Sequence, residues 1–181
     1  MPKNYLTICL ISNLTMTNIK LLNFTELSYE LTLMVLSWRN HEKVRKYMLS
    51  QDEISLKNHL DFIEYLKTTK EKLYFLVEQN DDFIGVIDFY NFKNSSCEFG
   101  LYANPEIKLA GIGKILIESS IEYAFDILKL SSLKLEVFAD NEKALGLYKS
   151  FNFKEYAQKK IDEKTLILME LNNKEKRNED S

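Results

Sequence analysis

The chain has 181 residues, 45% of them hydrophobic and 28% charged. That suits one domain with its own core and argues against a disordered or collagen-like chain. A formal charge of −3, from 24 basic and 27 acidic residues, argues against a nucleic-acid-coating protein, which carries a basic excess to neutralise phosphates. The two cysteines, Cys9 and Cys97, form no C-x-x-C pair, which excludes a disulfide scaffold and fits a reduced, cytoplasmic setting.

The first apolar stretch, Leu6 to Leu14, is short and broken by Thr7, Ser12 and Asn13. It has no charged flank beyond Lys3 and no small-residue cleavage site, so it reads as neither a signal peptide nor a membrane span. Residues 1–18 read as an extension that need not belong to the fold. Translation from Met16 would leave Ile19–Phe24 as an ordinary first strand. Tyr29–Trp38 and Leu56–Leu66 have helical spacing, the second with Leu56, Leu60, Ile63 and Leu66 recurring on one face. Leu73–Val77, Phe83–Phe89 and Cys97–Tyr102 read as strands, joined into hairpins by Asn80-Asp81-Asp82 and Asn94-Ser95-Ser96. A long helix follows over Ile112–Leu128, with Leu116, Ile117, Ile121, Ala124, Phe125 and Leu128 inward. Leu133–Phe138 alternates as a strand, and Asn141–Phe151 is a second amphipathic helix capped by Asp140 or Asn141. Phe153–Gln158 and Thr165–Leu171 close the set as strands. The order describes a mixed α/β sheet in one domain over 19–171. Residues 172–181, charged and without an apolar residue, read as a disordered tail.

Average usage of about 7% would give the chain roughly a dozen glycines; it has five. Two of them, Gly111 and Gly113, fall in Lys108-Leu109-Ala110-Gly111-Ile112-Gly113-Lys114, where a strand leads into the long helix. Glycines at a helix entrance let backbone N–H groups converge on an anion that the helix dipole also favours, and Lys108 and Lys114 add charge. Neither a P-loop nor a dinucleotide-binding fingerprint fits. A tight turn that merely allows close helix packing is the alternative.

Some 30 residues on comes Leu133-Lys-Leu-Glu-Val-Phe-Ala-Asp-Asn-Glu-Lys-Ala-Leu-Gly-Leu-Tyr-Lys-Ser-Phe-Asn-Phe153. Together the two segments resemble the GNAT N-acetyltransferase superfamily. Its coenzyme loop reads [Q/R]-x-x-G-x-[G/A], and its next strand and helix read V-x-x-x-N-x-x-A-x-x-[L/F]-Y-x-x-x-G-F. Val137, Asn141, Ala144, Leu147, Tyr148 and Phe153 fall in that register. Lys108 departs from the usual Gln or Arg, keeping the charge without the planar guanidinium. Asn152 departs from Gly before the last Phe, and Asn tolerates the left-handed conformation that turn asks for.

The resemblance implies that the strands Cys97–Tyr102 and Leu133–Phe138 splay apart. Acetyl-CoA would lie between them, its pantetheine beside the first strand and its pyrophosphate on the amides around Ala110–Lys114. Leu101, Lys108, Ala110, Gly111, Ile112, Gly113, Lys114, Asn141, Ala144 and Leu147 are the coenzyme-binding candidates, and no metal is expected. Gly100 would either let the coenzyme approach or mark a bulge. The chemistry would be direct acyl transfer to an amine, with one proton to remove and one to supply. Tyr148 is the general-acid candidate, against a merely structural half-buried tyrosine. Glu136 is the first base candidate: alternation puts Lys134, Glu136 and Phe138 on one strand face, and a structural ion pair with Lys134 is the competing reading. Asp88, alone among apolar residues in Phe83–Phe89, is the second.

For the acceptor, Trp38-Arg39-Asn40-His41, Tyr47-Met48 and Ser55-Leu56-Lys57-Asn58-His59-Leu60 resemble the nucleotide-sugar N-acetyltransferases of the pseudaminic acid pathway. Those enzymes acetylate the 4-amino group of UDP-4-amino-4,6-dideoxy-N-acetyl-β-L-altrosamine, which feeds flagellin glycosylation. That resemblance makes Arg39, Met48, His59 and Tyr102 substrate-binding candidates, Arg39 and His59 near the diphosphate. The alternative for both histidines is a surface or capping role. The expected partner is a small nucleotide sugar, with no nucleic acid and no membrane; monomer and homodimer both stay open. A ribosomal-protein N-terminal acetyltransferase and a non-catalytic acyl-CoA-binding module are the rival functions.

Overall fold

The computed structural model describes residues 6–12 and 15–173, with side chains from Asn18 onward. Two strands, β1 (Leu6–Ser12) and β2 (Thr15–Asn23), pair antiparallel with Leu6 opposite Leu21 and Ser12 opposite Thr15. Residues 6–12 and 15–18 therefore pair within the sheet, although they fall in the stretch 1–18 that the sequence alone reads as an extension. The run Thr7-Ile8-Cys9-Leu10-Ile11, with three β-branched residues, is strand-forming sequence. The charged tail from residue 174 lies outside the described residues, and Asn172 and Asn173 belong to the fold. Asn173 N–H donates to the Ser131 carbonyl at 3.0 Å, and its Nδ2 donates to the Leu130 carbonyl at 3.0 Å.

After a single 3₁₀ turn come three helices, α1 (Tyr29–Asn40), α2 (Glu42–Arg45) and α3 (Leu56–Leu66). Ser28 and Ser55 cap α1 and α3 by accepting from the N–H groups of Leu31 and Asn58, satisfying donors that a helix start leaves free. On α3 the buried residues are His59, Ile63 and Leu66, whereas Leu56 is exposed. The stripe is thus rotated from the leucine pattern, and His59 is part of it.

The strands β3 (Lys72–Gln79), β4 (Asp82–Lys93) and β5 (Ser96–Ala103) form the expected hairpins. Their turns place Asn80, Asp81, Asn94 and Ser95 at positive φ, which suits the right-handed twist of hairpins. The long helix α4 (Ile112–Glu122) continues into a π-helical turn over Tyr123–Ile127, where Leu128 N–H reaches the Tyr123 carbonyl at 2.9 Å. Then follow β6 (Ser132–Phe138), α5 (Glu142–Ser150), β7 (Lys154–Ile161) and β8 (Lys164–Asn172). Asn141 caps α5, and Asn152 after it adopts φ 63°, the left-handed conformation anticipated for it.

The eight strands run in the order β1-β2-β3-β4-β5-β6-β8-β7, antiparallel except for β5 and β6. One sheet face carries Phe75, Ile87, Phe89, Leu133, Leu135 and Val137 under α4 and α5. The other carries Leu76 and Val86 against Phe24, Val35, Trp38 and Leu66 from the 3₁₀ turn, α1 and α3. Both faces of the central strands are thus buried. Among the described residues no helix is long and apolar enough to cross a membrane.

Candidate active site

Strands β5 and β6 pair at only three positions, Ser96 with Ser132, Cys97 with Leu133 and Glu98 with Lys134. Beyond them β5 follows β4 as far as Ala103, while β6 follows β8 as far as Phe138. From Phe99 and Leu135 onward the two facing strand edges diverge and leave a V-shaped opening in the sheet. A cleft of about 630 Å³ occupies this region, walled by β4, β5, β6, α5 and the end of α1.

Tyr148, on α5, lines this cleft and is buried, packed edge-on to Phe99 at 6.1 Å and to Phe153 at 5.8 Å. Burial raises its pKa above that of a free tyrosine, with the Asp88 charge adding to the rise. Its hydroxyl therefore holds its proton at neutral pH and has one to give.

Asp88 faces the same space from the centre of β4. Its strand partners are Tyr74 on β3 and Gly100 on β5. A Cβ added at Gly100 would lie 2.9 Å from Asp88 Oδ2 and 3.2 Å from Oδ1. The missing side chain is what lets the carboxyl group lie across β5, and the register of β4 and β5 is regular there, so Gly100 marks no bulge. Tyr74, Tyr90, Tyr102 and Tyr148 surround the carboxyl closely enough for its charge to raise the pKa of each, after burial. Desolvation pushes Asp88 itself up to about 7, against a smaller opposing pull from Lys72. A carboxyl group with a pKa near neutrality inside a cleft is a candidate for proton transfer.

Glu136 also lines the cleft, but with a partner: Lys159 Nζ, on the edge strand β7, lies 2.5 Å from its Oε1. The ion pair anticipated with Lys134 is not made. Lys134 lies 3.7 Å from Glu170, its partner position on β8. Cys97 lies at the closed end of the V, buried, with its thiol pushed up to about 12 by that burial. Such a thiol is no nucleophile.

The entrance to α4 divides the work of its two glycines. Gly111 caps the helix at φ 86°, with no side-chain capping bond and open space where a Cβ would be. Gly113 is close-packed, since a Cβ there would lie 2.9 Å from Leu147 Cδ2. One glycine serves the turn and the other the contact between α4 and α5. The first intrahelical bond runs from Ile115 N–H to the Gly111 carbonyl, so the amides of Ile112, Gly113 and Lys114 precede the helical ladder. Lys108 and Ala110 are exposed beside them, and Lys114 lies 3.6 Å from Glu118. Among the other coenzyme candidates, Leu101, Asn141 and Ala144 line the cleft; Asn141 Oδ1 accepts from Ala144 N–H at 3.3 Å.

The opposite wall carries the acceptor candidates Arg39, Met48 and Tyr102. Arg39 Nη2 donates to the Ser50 carbonyl at 2.9 Å, while Nη1 is buried without a partner. A buried donor left open is costly, and an anionic ligand in the cleft would satisfy it. His59 does not reach the cleft. It is buried on α3 towards α1, where burial lowers its pKa and the Thr32 backbone opposes that effect. The structure thus sets it apart from the other acceptor candidates; its spacing with Ile63 and Leu66 marks it as part of a helix's inward stripe. His41 caps α2, its Nδ1 accepting from Lys43 N–H at 3.1 Å. Sequence reasoning missed Lys43, Tyr74 and Tyr90, which also line the cleft. The two tyrosines share Asp88's face by alternation, but only the strand register brings them to it.

The acetyltransferase (GNAT) family profile matches residues 34–153. Acetyltransferase PseH of Campylobacter jejuni is 46% identical over 142 residues, 78% of this chain and 88% of the relative. The crystal structure of Campylobacter jejuni N-acetyltransferase PseH in complex with acetyl coenzyme A superposes with a TM-score of 0.71 at 39% identity, over 86% of this chain and 99% of that one. Spermidine N-acetyltransferase of Vibrio cholerae, 21% identical with a TM-score of 0.77 over 86% of this chain and 96% of its own, shares the fold. The chain belongs to the acetyltransferase (GNAT) family and is an N-acetyltransferase.

Proposed function

We propose that the protein transfers an acetyl group from acetyl-CoA directly to the 4-amino group of UDP-4-amino-4,6-dideoxy-N-acetyl-β-L-altrosamine, in a ternary complex. It would thereby supply the cytoplasmic pathway to pseudaminic acid and flagellin glycosylation. The observation that carries this choice of acceptor is the cationic wall. Arg39 offers an unsatisfied buried donor and Lys43, whose Nζ donates to the Pro105 carbonyl at 3.2 Å, lines the same cleft, a pair of cations suited to a nucleotide diphosphate. The similarity to PseH over most of the chain supports the same reading.

The coenzyme's diphosphate would rest on the amides at residues 110–114, and its pantetheine would run along the free edge of β5 from Phe99 to Ala103. The amine reaches the site as an ammonium ion and loses a proton to a carboxylate, Glu136 or Asp88, directly or through water. Its lone pair then attacks the thioester carbonyl carbon; a C–N bond forms and the C–S bond breaks. The departing thiolate takes the Tyr148 hydroxyl proton, the acylated nitrogen sheds its second proton to solvent as the amide forms, and solvent reprotonates Tyr148 and takes the proton held by the carboxylate.

A coupled free-thiol assay presenting the UDP-amino sugar, a ribosomal N-terminal peptide and spermidine tests the reading. CoA release with the sugar alone is expected, and Arg39→Ala should weaken the sugar but not acetyl-CoA. Release with the peptide or spermidine alone would overturn the acceptor. No release with any of them, alongside acetyl-CoA binding, would favour a non-catalytic module.

A further inference from the structure

In the Arg39-Asn40-His41 tract, Arg39 faces the cleft and His41 caps α2, which leaves Asn40. It is the last residue of α1, and its side-chain amide makes two hydrogen bonds to one residue 14 positions on. Nδ2 donates to the Ile54 carbonyl at 2.8 Å, and Oδ1 accepts from Ile54 N–H at 2.8 Å. One side chain thereby satisfies both backbone polar groups of Ile54, as a neighbouring strand would.

What this clamp holds is the acceptor side of the cleft. Residues 46–55 join α2 to α3 without helix or strand, and Tyr47, Met48, Leu49 and Ser50 from this segment line the cavity. Among the described residues, Leu49 to Ile54 makes no backbone-to-backbone hydrogen bond. The segment is held by side chains instead: Arg39 on the Ser50 carbonyl, Gln51 Nε2 on the Lys46 carbonyl at 3.1 Å, an exposed Arg45–Glu53 pair at 3.5 Å, and Asn40. Of these only Asn40 makes two bonds to one backbone residue. It also adjoins Arg39, which lines the same cleft and whose Nη1 is buried without a partner.

We propose that Asn40 is a positioning residue for the acceptor: by clamping Ile54 it sets the 46–50 wall against Arg39, and so governs acceptor affinity without touching the acceptor or the reacting atoms. The proposal rests on the acceptor entering past Arg39. The chemistry of the clamp is specific. Leucine has the shape and neither bond. Aspartate can accept from Ile54 N–H but sets a charged oxygen against the Ile54 carbonyl.

The test uses the full chain carrying Asn40→Leu or Asn40→Asp, with hydrogen exchange on the protein alone and steady-state kinetics with acetyl-CoA and the UDP-amino sugar. Asn40→Leu should lose exchange protection at the Ile54 amide, which donates to Asn40 Oδ1, Asn40→Asp should keep part of it, and both should keep the protection of the α4 ladder from Ile115 onward. The acceptor KM should rise about tenfold, as loss of two backbone hydrogen bonds implies, while the acetyl-CoA KM stays within about twofold. Loss of the Ile54 protection with an unchanged acceptor KM would overturn the proposal, as would equal changes in both KM values. If the wild type acetylates a different amine from the assay above, the acceptor identity falls, and the same KM comparison with that amine decides the role of Asn40. A wild type that acetylates none of them overturns both. If Asn40→Leu does not fold, Asn40→Asp, which keeps one bond, carries the comparison alone.

Discussion

Replacing Asp88 with asparagine keeps the shape of the side chain and removes its charge, which separates the cost of burying this carboxylate from its use. In the folded chain the group is 9% exposed, and desolvation moves its pKa from 3.8 to about 7. A carboxyl whose folded pKa lies above its unfolded value binds its proton more tightly in the native state. The Asp88 contribution to wild-type stability should therefore be most favourable below about pH 4, decline as pH rises towards 7, and level off above. At about 1.4 kcal/mol per unit, that decline is on the order of 4 kcal/mol as an upper bound. Asp88→Asn has no such decline, so its stability relative to wild type should rise through the same window and then hold. Urea unfolding at several pH values between about 4.5 and 8 measures this directly, with an expected relative gain of about 2 kcal/mol or more. Acetyl transfer by the same variant should fall at least about tenfold. A stability difference that does not vary with pH would refute the buried-carboxylate reasoning, and wild-type turnover would refute its use in proton transfer.

Gly100→Ala places a methyl group 2.9 Å from Asp88 Oδ2; the displaced carboxyl should cost about 1–3 kcal/mol in unfolding experiments and lower turnover, and an unchanged rate would mean its position is not critical. Glu136→Gln should lower turnover with little change in acetyl-CoA affinity by calorimetry; unchanged turnover would remove Glu136 as a base. Tyr148→Phe should slow product formation by about 10²-fold at unchanged acetyl-CoA affinity, and a wild-type rate would leave the tyrosine structural.

Elements whose pattern is local were legible in the sequence. Leu56–Leu66 reads as a helix from its spacing, the Asn-Asp and Asn-Ser turns mark both hairpins, and Asn141 is recognisable as a cap. The segments proposed to hold the coenzyme stand out for a related reason: a glycine turn entering a helix and the strand-to-helix run ending at Phe153 are continuous in sequence. The acceptor half does not, because it is assembled from pieces distant in sequence. Nothing near Gly100 indicates that its missing side chain makes room for Asp88, twelve residues earlier on the paired strand. Glu136 was assigned a possible partner in Lys134, the nearest lysine along its strand, whereas the sheet supplies Lys159 from β7. For His59 the two signals point apart: the motif resemblance implies a substrate contact, and the spacing with Ile63 and Leu66 places it in the helix's buried stripe.

Two carboxylates face one cleft, and their surroundings set them apart. Glu136 is engaged by a lysine at 2.5 Å, so taking a proton from the amine requires it to share or release that partner. Among the described residues Asp88 has no cation that close; four tyrosines and the backbone of Gly100 surround it, and Lys72 exerts a smaller opposing pull than desolvation. An incoming ammonium ion would be the first positive charge to meet Asp88 at short range. That attraction strengthens in a dry site and weakens once the proton has moved. On this reasoning we propose Asp88 ahead of Glu136 as the proton acceptor, reversing the order taken from strand alternation. The two substitutions together decide the ranking. If Asp88→Asn abolishes a pH-dependent step that Glu136→Gln preserves, the proton goes to Asp88; the opposite pattern returns it to Glu136 and leaves Asp88 as a buried charge whose service is to orient the surrounding tyrosines.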